Sequence, residues 1–177
     1  AKIIPPEPLQ SVTKDWGARD ANWFFDFPSS AETVIGFLER SKIYKEKEVK
    51  FYGAIAININ VLESIIKLVG PVPLADYGIE INENNFLIEL QREVEVGRDK
   101  KPGQNPKKIL SVLTPILLDR ISNLSSDEKT ILFELFKERV QKKDIMFFSR
   151  DKEISSFLRD ANLDGGVYKL PSSFWGT

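Results

Sequence analysis

The side chains best suited to chemistry are concentrated in residues 18–31, just before the first predicted helix. This stretch contains two aspartates, an asparagine, an arginine, a tryptophan and three phenylalanines. That mixture is not typical of a regular helix or strand. It predicts an irregular loop that is anchored by aromatic rings and directs polar groups at a ligand. The polar candidates in the loop are Arg19, Asp20, Asn22 and Asp26.

Carboxylate and amide oxygens at this close spacing can ligate a hard cation, so a divalent cation such as Mg²⁺ is a cofactor compatible with the loop. A purely structural interpretation stands beside this one. In it, Asp20 and Asn22 hydrogen-bond the loop backbone and Asp26 pairs with Arg19. The aromatic side chains then pack against the rest of the protein, and these are Trp23, Phe25 and Phe27.

A second group of candidates is basic and lies between Arg92 and Lys108. Guanidinium groups suit bidentate binding of phosphate, and the free amides in the first turn of a helix also favour anions. Together with the first loop, this predicts a set of phosphate-binding residues: Arg19, Arg92, Arg98, Lys107 and Lys108. The alternative is a solvated basic loop in which Glu93, Glu95 and Asp99 are the local partners.

Composition excludes several kinds of chemistry. The chain has no cysteine and no histidine, which rules out a thiol nucleophile, a Ser-His-Asp triad, a histidine base and a zinc site of the usual kind within it. Its net charge of −1 gives no bulk electrostatic argument for binding nucleic acid. No apolar run reaches the roughly 18–20 residues that a membrane span needs, so no span is predicted.

The hydrophobic pattern predicts helices that alternate with a few buried strands, and hence a helix-rich α/β fold in which a small mixed sheet is flanked by several helices. Ser29 or Ser30 is predicted to cap the first helix, Asn58 or Asn60 the second and Asp151 the last, and Pro115 is predicted to kink or break a later helix. Residues 1–17 are predicted to be extended or coiled, and residues 42–48 to be a solvated connection. Residues 49–58 read as a central strand that is covered on both faces. The predicted helices span about 31–41, 61–69, 83–94, 106–123, 126–142 and 152–160, and the second clear strand spans 144–148.

Three segments together resemble the bacterial family known as domain of unknown function 4012. They are residues 19–31, residues 52–57 with Gly70-Pro71-Val72, and residues 147–151 with Asp164-Gly165. In that family a membrane anchor and an earlier sheet-forming half usually precede this region. The resemblance therefore implies that 1–177 is a single domain, excised from a longer extracytoplasmic protein that is anchored to the membrane of the bacterial cell envelope.

A more distant likeness is to the LytR-CpsA-Psr envelope phosphotransferases, which share the order of strand, helix, glycine turn, helix and arginine cluster. Arg92, Arg98 and Asp99 stand where that family has its first arginines and an aspartate, and Lys107 and Lys108 stand nearby. The likeness implies that the partner is a phosphorylated or polyprenyl-pyrophosphate-linked glycan. Any catalysis would be metal-assisted phosphoryl transfer, with Arg92 and Arg98 neutralising phosphate charge and Arg19 or Asp20 assisting. The alternative is a non-catalytic envelope scaffold or protein-interaction domain.

Overall fold

The structure is a computed structural model that describes residues 3–95 and 108–167. The chain divides into two compact units. Unit 1 contains the described residues up to Ala56 and those from Met146 onward, and unit 2 contains the described residues between Ile57 and Ile145. That residues 1–177 form a single, excised domain stays a prediction.

The described residues form seven α-helices and four short strands, which confirms the helix-rich α/β class. In chain order they are α1 (Phe27–Arg40), α2 (Lys42–Lys45), β1 (Gly53–Ile57), α3 (Ile59–Val69), β2 (Val72–Leu74), β3 (Ile79–Ile81), α4 (Phe86–Glu95), α5 (Lys108–Ser122), α6 (Ser126–Gln141), β4 (Ile145–Ser149) and α7 (Lys152–Asp160). The strands form two sheets of two strands each, β1 with β4 and β2 with β3.

Helix α1 is the main helix of unit 1, and it begins earlier than the sequence predicts. Its N-cap is Asp26, whose carboxylate accepts a hydrogen bond from the backbone N–H of Ser29. The prediction that Ser29 or Ser30 caps the helix is wrong, because Ser30 turns into the core beside Phe27, Ala31 and Ile35. Residues 42–48, predicted to be a solvated connection, include the short helix α2.

Strands β1 and β4 run antiparallel. The N–H of Arg150 donates to the carbonyl of Tyr52 beyond one end of the pair, and the N–H of Asn58 donates to the carbonyl of Asp144 beyond the other. The sequence predicts a central strand over 49–58, but β1 has only five residues and one neighbour in the described part of the chain. Its side chains are accordingly not covered on both faces, since Ile55 is 62% exposed.

Unit 2 packs four helices around the β2–β3 hairpin, in which Val72 is opposite Ile81. Its most deeply buried large side chains are Val61, Ile66, Val72, Leu74, Ile81, Phe86 and Leu113. Asn58 caps α3, as predicted, and Gly70 ends it with a positive φ of 80°. Arg120 donates to the carbonyls of residues 69–71 and so satisfies acceptors that the end of α3 leaves open.

Helix α5 continues through Pro115 without the break that the sequence allows. Proline removes one helical hydrogen bond and crowds the preceding turn. Leu113 and Leu117 are both buried, on either side of the proline. Burial of those two side chains offsets the local cost and holds the helix together.

No helix in the described residues is long and apolar enough to cross a membrane.

The turn after α7 is joined to the start of α1 by two hydrogen bonds. The N–H of Phe27 donates to the carbonyl of Gly165, and the N–H of Val167 donates to the carboxylate of Asp26. Gly165 has a φ of 63°, and a Cβ atom there would overlap the sulfur of Met146. Only glycine therefore fits at this point.

We predict that Gly165→Ala destabilises the protein by about 2–4 kcal/mol, because the left-handed backbone and the overlap with Met146 each carry a cost. Chemical denaturation measures the change in the free energy of unfolding. Gly17→Ala is the matched control, since Gly17 is extended and a Cβ atom there meets nothing within 4 Å. Equal stability of the two variants would contradict the described packing of this turn.

Candidate functional site

A cleft of about 390 Å³ in unit 1 brings together the side chains best suited to binding a ligand. Its walls combine two aromatic rings, two cations, a hydroxyl and an aliphatic side chain. The lining residues are Ile3, Trp16, Phe37, Arg40, Ser41 and Lys45. Sites for small molecules are commonly apolar clefts of roughly this size with a few polar groups placed at the wall.

The aromatic wall consists of Trp16 and Phe37. Their ring centroids are 5.3 Å apart and the ring planes are inclined by 81°, which is the favourable edge-to-face arrangement. The guanidinium carbon of Arg40 lies 5.7 Å from the centroid of the Phe37 ring. Phe37 and Arg40 are three residues apart on α1 and so share one face of the helix. An apolar surface and a cation are thereby placed side by side.

Trp16 is held in this wall by the stretch that the sequence singles out. Its indole N–H donates to the carbonyl of Asp20 at 3.1 Å, and its backbone N–H donates to the carbonyl of Ile3 at 3.1 Å. Its ring also lies edge-on to Phe24, at 6.5 Å between centroids. The buried hydroxyl of Ser30 donates to the carbonyl of Phe24 and accepts from its N–H. Asp20, Phe24 and Ser30 therefore support the Trp16 ring from behind, although none of them lines the cleft itself.

Both cations of the cleft are solvent-exposed and are not neutralised by the described carboxylates. Among residues 3–95 and 108–167, no ion pair joins Arg40 or Lys45 to an acidic group. Arg40 uses its Nε to donate to the carbonyl of Gly36 at 2.7 Å, which leaves its terminal nitrogens for other partners. The hydroxyl of Ser41 donates to the carbonyl of Leu38, and its oxygen lone pairs stay free to accept.

The acidic groups on α1 are instead paired with Arg150. Its guanidinium binds Glu32 through two nitrogens, at 2.6 and 3.0 Å, and Glu39 at 2.8 Å. Glu39 also accepts from the N–H of Phe51, and these hydrogen bonds hold the pKa of its carboxyl below the usual range. The same contacts, with Glu32 first, raise the pKa of Arg150. Both carboxylates of α1 are thus paired with Arg150. Arg40, on the same helix, has no acidic partner among the described residues.

Asp26 has a structural role in the described residues. Its carboxylate accepts from the backbone and hydroxyl of Ser29 and from the N–H of Val167. Burial alone would raise the pKa of Asp26, but the hydrogen bonds from Ser29 and Val167 outweigh it and lower the pKa below its ordinary value. The structural interpretation of this loop is therefore supported at Asp26, where the described partners are Ser29 and Val167. The pairing of Asp26 with Arg19 stays a prediction.

The aromatic residues of the loop do not all pack as the structural interpretation expects. Phe27 is buried, but Phe25 is fully exposed and Trp23 is also exposed. The ring that packs in their place is that of Trp16, which the sequence analysis did not single out. Asn22 is exposed, and Arg19 and Asp20 lie in a single 3-10 turn, Ala18–Asp20.

Of the five phosphate-binding candidates, Arg92 is the one whose side chain the structure describes. Arg92 lies on α4 in unit 2, where it is exposed and pairs with Glu89 at 2.7 Å. Lys108 is the first residue of α5. Arg98, Asp99 and Lys107 lie outside the described residues, so a phosphate site that uses the predicted set stays a prediction. In the described part of the chain, no group of three or more carboxylates could hold a metal ion.

The cleft could not be predicted from the sequence because the residues that line it come from three separate segments. The signal that was available is the helical spacing of Phe37 and Arg40, followed by Lys45 after the break at Ser41. The sequence predicts a solvated connection around Lys45 and an extended or coiled stretch around Trp16, and neither pattern indicates a binding site. Only folding brings Ile3 and Trp16 against the end of α1.

A family model described as "Protein of unknown function (DUF4012)" matches residues 5–94. The match contains every lining residue of the cleft except Ile3. It contains the first two of the resembling segments, and the third lies beyond it. No curated protein and no solved structure matches the chain. The likeness to the LytR-CpsA-Psr enzymes stays a prediction.

We predict that Asp26→Ala lowers the free energy of unfolding by about 1–2 kcal/mol at pH 7, because α1 loses its N-cap. Asp26→Asn should retain most of the stability, since asparagine is also a good N-cap. Because folding lowers the pKa of Asp26, the carboxylate stabilises the folded state above its ordinary pKa of 3.8, and this contribution is lost as pH falls through the folded value. The gap between the wild type and Asp26→Asn should therefore narrow in acid.

Denaturation curves recorded over a range of acidic pH measure this gap. Asp76→Asn is the control, because Asp76 is exposed and caps no helix, so its stability at pH 7 should be that of the wild type. A gap for Asp26→Asn that does not change with pH would show that the carboxylate lacks the described partners.

Proposed function

Because the chain belongs to the DUF4012 family, whose description assigns no activity, we propose a function from the cleft of unit 1. The protein is a module of the bacterial cell envelope that binds a phosphorylated glycan precursor, in the class that includes polyprenyl-pyrophosphate-linked saccharides. The observation that carries this proposal is a single cleft that holds two aromatic rings and two cations, neither of which pairs with a carboxylate of the described residues.

Each part of such a ligand has a complementary group in the cleft. The planar guanidinium of Arg40 can bind two oxygens of a phosphate at once, and Lys45 adds a second, more mobile positive charge. The rings of Trp16 and Phe37 offer apolar surface against which the C–H face of a sugar can pack. Ser41 supplies a hydroxyl that can accept from a sugar hydroxyl.

The envelope location is part of the proposal and rests on the family resemblance. In that setting the full-length protein is membrane-anchored, and the cleft lies on the extracytoplasmic side, where lipid-linked glycan precursors are exposed. A ligand with a compact anionic group suits the cleft better than nucleic acid does. The chain has a net charge of −1, and two cations offer few phosphate contacts to a long polyanion.

Binding alone is proposed for the described residues. Metal-assisted phosphoryl transfer needs a cation held by carboxylates or other ligands. The described part of the chain groups no three carboxylates for that purpose. Transfer that involves Arg92, Arg98 and a divalent cation such as Mg²⁺ stays a prediction.

A second candidate function is that of a non-catalytic envelope scaffold or interaction domain. The observation that favours it is the surface of α6, which has no buried residue although the helix is sixteen residues long. Phe133 and Phe136 are both exposed, and since they are three residues apart they share one face of this helix. Large exposed apolar side chains that lie close together are typical of protein contact surfaces.

Calorimetric titration with inorganic pyrophosphate and with glucose 1-phosphate tests the proposal. Arg40→Gln and Lys45→Gln should each weaken binding of pyrophosphate by about tenfold or more, because each removes a charge-assisted hydrogen bond. Lys42→Gln is the matched control, since Lys42 is an exposed lysine on α2 that does not line the cleft. We expect its affinity to equal that of the wild type.

Phe37→Leu separates the aromatic wall from the cations. It should weaken binding of glucose 1-phosphate more than binding of pyrophosphate, because only the sugar packs against the ring. Circular dichroism checks that each variant is folded. Wild-type protein that binds neither probe, or variants of Arg40 and Lys45 that bind as tightly as Lys42→Gln, would contradict the proposed function.

A further inference from the structure

The outer edge of strand β1 is open in the described part of the chain. Tyr52 and Asn58 both direct their backbone groups at β4, as the hydrogen bonds to Arg150 and Asp144 show. Backbone groups alternate along an antiparallel strand, so the N–H and C=O groups of Gly53, Ile55 and Ile57 point away from β4. No described strand pairs with that edge. Within residues 3–95 and 108–167, three donors and three acceptors in a row thus have no partner strand.

The other edge of this sheet is occupied. The N–H of Phe147, which points away from β1, donates to the carbonyl of Leu163 at 3.0 Å. The turn after α7 therefore covers that side of β4. Only the β1 edge is left for the sheet to grow, as judged from residues 3–95 and 108–167.

The side chains along the open edge lack the features that usually protect one. Native edge strands carry lysines, prolines or bulges that discourage pairing. Here no charged residue and no proline stands between Lys50 and Glu63. Ile55 and Ile57 are 62% and 57% exposed, and Tyr52 is also exposed. The sequence of β1 is that of a central strand, and for this reason a central strand is predicted over residues 49–58.

We propose that the open edge of β1 pairs with the same edge of a second copy of this chain, in antiparallel register centred on Ile55. In this register Ile55 faces its own symmetry mate, and Gly53 faces Ile57 of the second copy. All six outward backbone groups of each strand then find partners, so the two sheets join into one of four strands. The two-fold symmetry makes one edge sufficient for both copies.

Charge and side-chain size both favour a second copy as the occupant. The register sets Tyr52 opposite Asn58, and it sets Lys50 opposite Asn60, so no like charges meet across the pair. Gly53 has no side chain, which leaves room for the Ile57 side chain on the same face. A strand of five residues buries little area, so the dimer should be weak and should form with rising concentration.

Sedimentation velocity over a roughly hundredfold range of concentration tests for such a weak dimer. We expect a reversible shift from monomer to dimer for the wild type. Ile55→Lys should abolish the shift, because two lysines would then lie opposite each other at the centre of the interface. Ile88→Lys is the matched control, since Ile88 is 56% exposed on α4, and it should dimerise like the wild type.

Hydrogen exchange of wild-type amides gives a readout that does not depend on any variant folding. The amides of Gly53, Ile55 and Ile57 should exchange fast in dilute solution and at least tenfold more slowly at high concentration. The amides of Ala54 and Ala56, which already face β4, should be slow throughout. A chain that stays monomeric, or a dimer in which the three outward amides remain fast, would overturn the proposal.

Discussion

The fixed position of helix α1 is the constraint on which the cleft of unit 1 depends. Asp26 holds the start of the helix and also accepts from Val167 of the distant turn. Arg150 holds the later turns by binding Glu32 and Glu39. Phe37 and Arg40 project from the same helix, so their position in the cleft follows from these contacts. Hydrogen bonds to charged groups are stronger than neutral ones and suit this task.

The arrangement of charges around α1 gives the cleft its chemical character. The guanidinium of Arg150 donates to the carbonyl of Phe51 and to the carboxylates of Glu32 and Glu39. Both carboxylates are therefore paired with a cation. The neighbouring cations Arg40 and Lys45 have no such partner among the described residues. A cation beside aromatic surface is a natural place for an anion that carries an apolar face.

Features set by neighbouring residues could be predicted from the sequence. Asn58 and Asp151 cap their helices as expected, and the helix-rich α/β class is confirmed. Features that depend on distant contacts could not be predicted. Asp26 is selected over Ser29 as the cap of α1 partly because Val167 also donates to it. Ile55 has the sequence surroundings of a central-strand residue, and nothing in them shows that β1 has only one neighbour among the described strands.

The candidate site was hidden for the same reason. Phe37, Arg40 and Lys45 are close in sequence, but the cleft needs Ile3 and Trp16, which only folding brings to the end of α1. Residues 18–31 stand out in the sequence as a candidate polar loop, and in the structure Asp20 and Phe24 of this loop position the Trp16 ring. Arg92 forms an ion pair with Glu89, and Arg98 lies outside the described residues.

The most direct test of the central claim is a two-dimensional ¹H–¹⁵N NMR titration of the chain with inorganic pyrophosphate. The account predicts that the indole N–H of Trp16 and the amides of Arg40, Ser41 and Lys45 shift together and saturate along one binding curve. Shifts confined to other residues, such as Arg92 and its neighbours on α4, or no saturable shift at all, would contradict it.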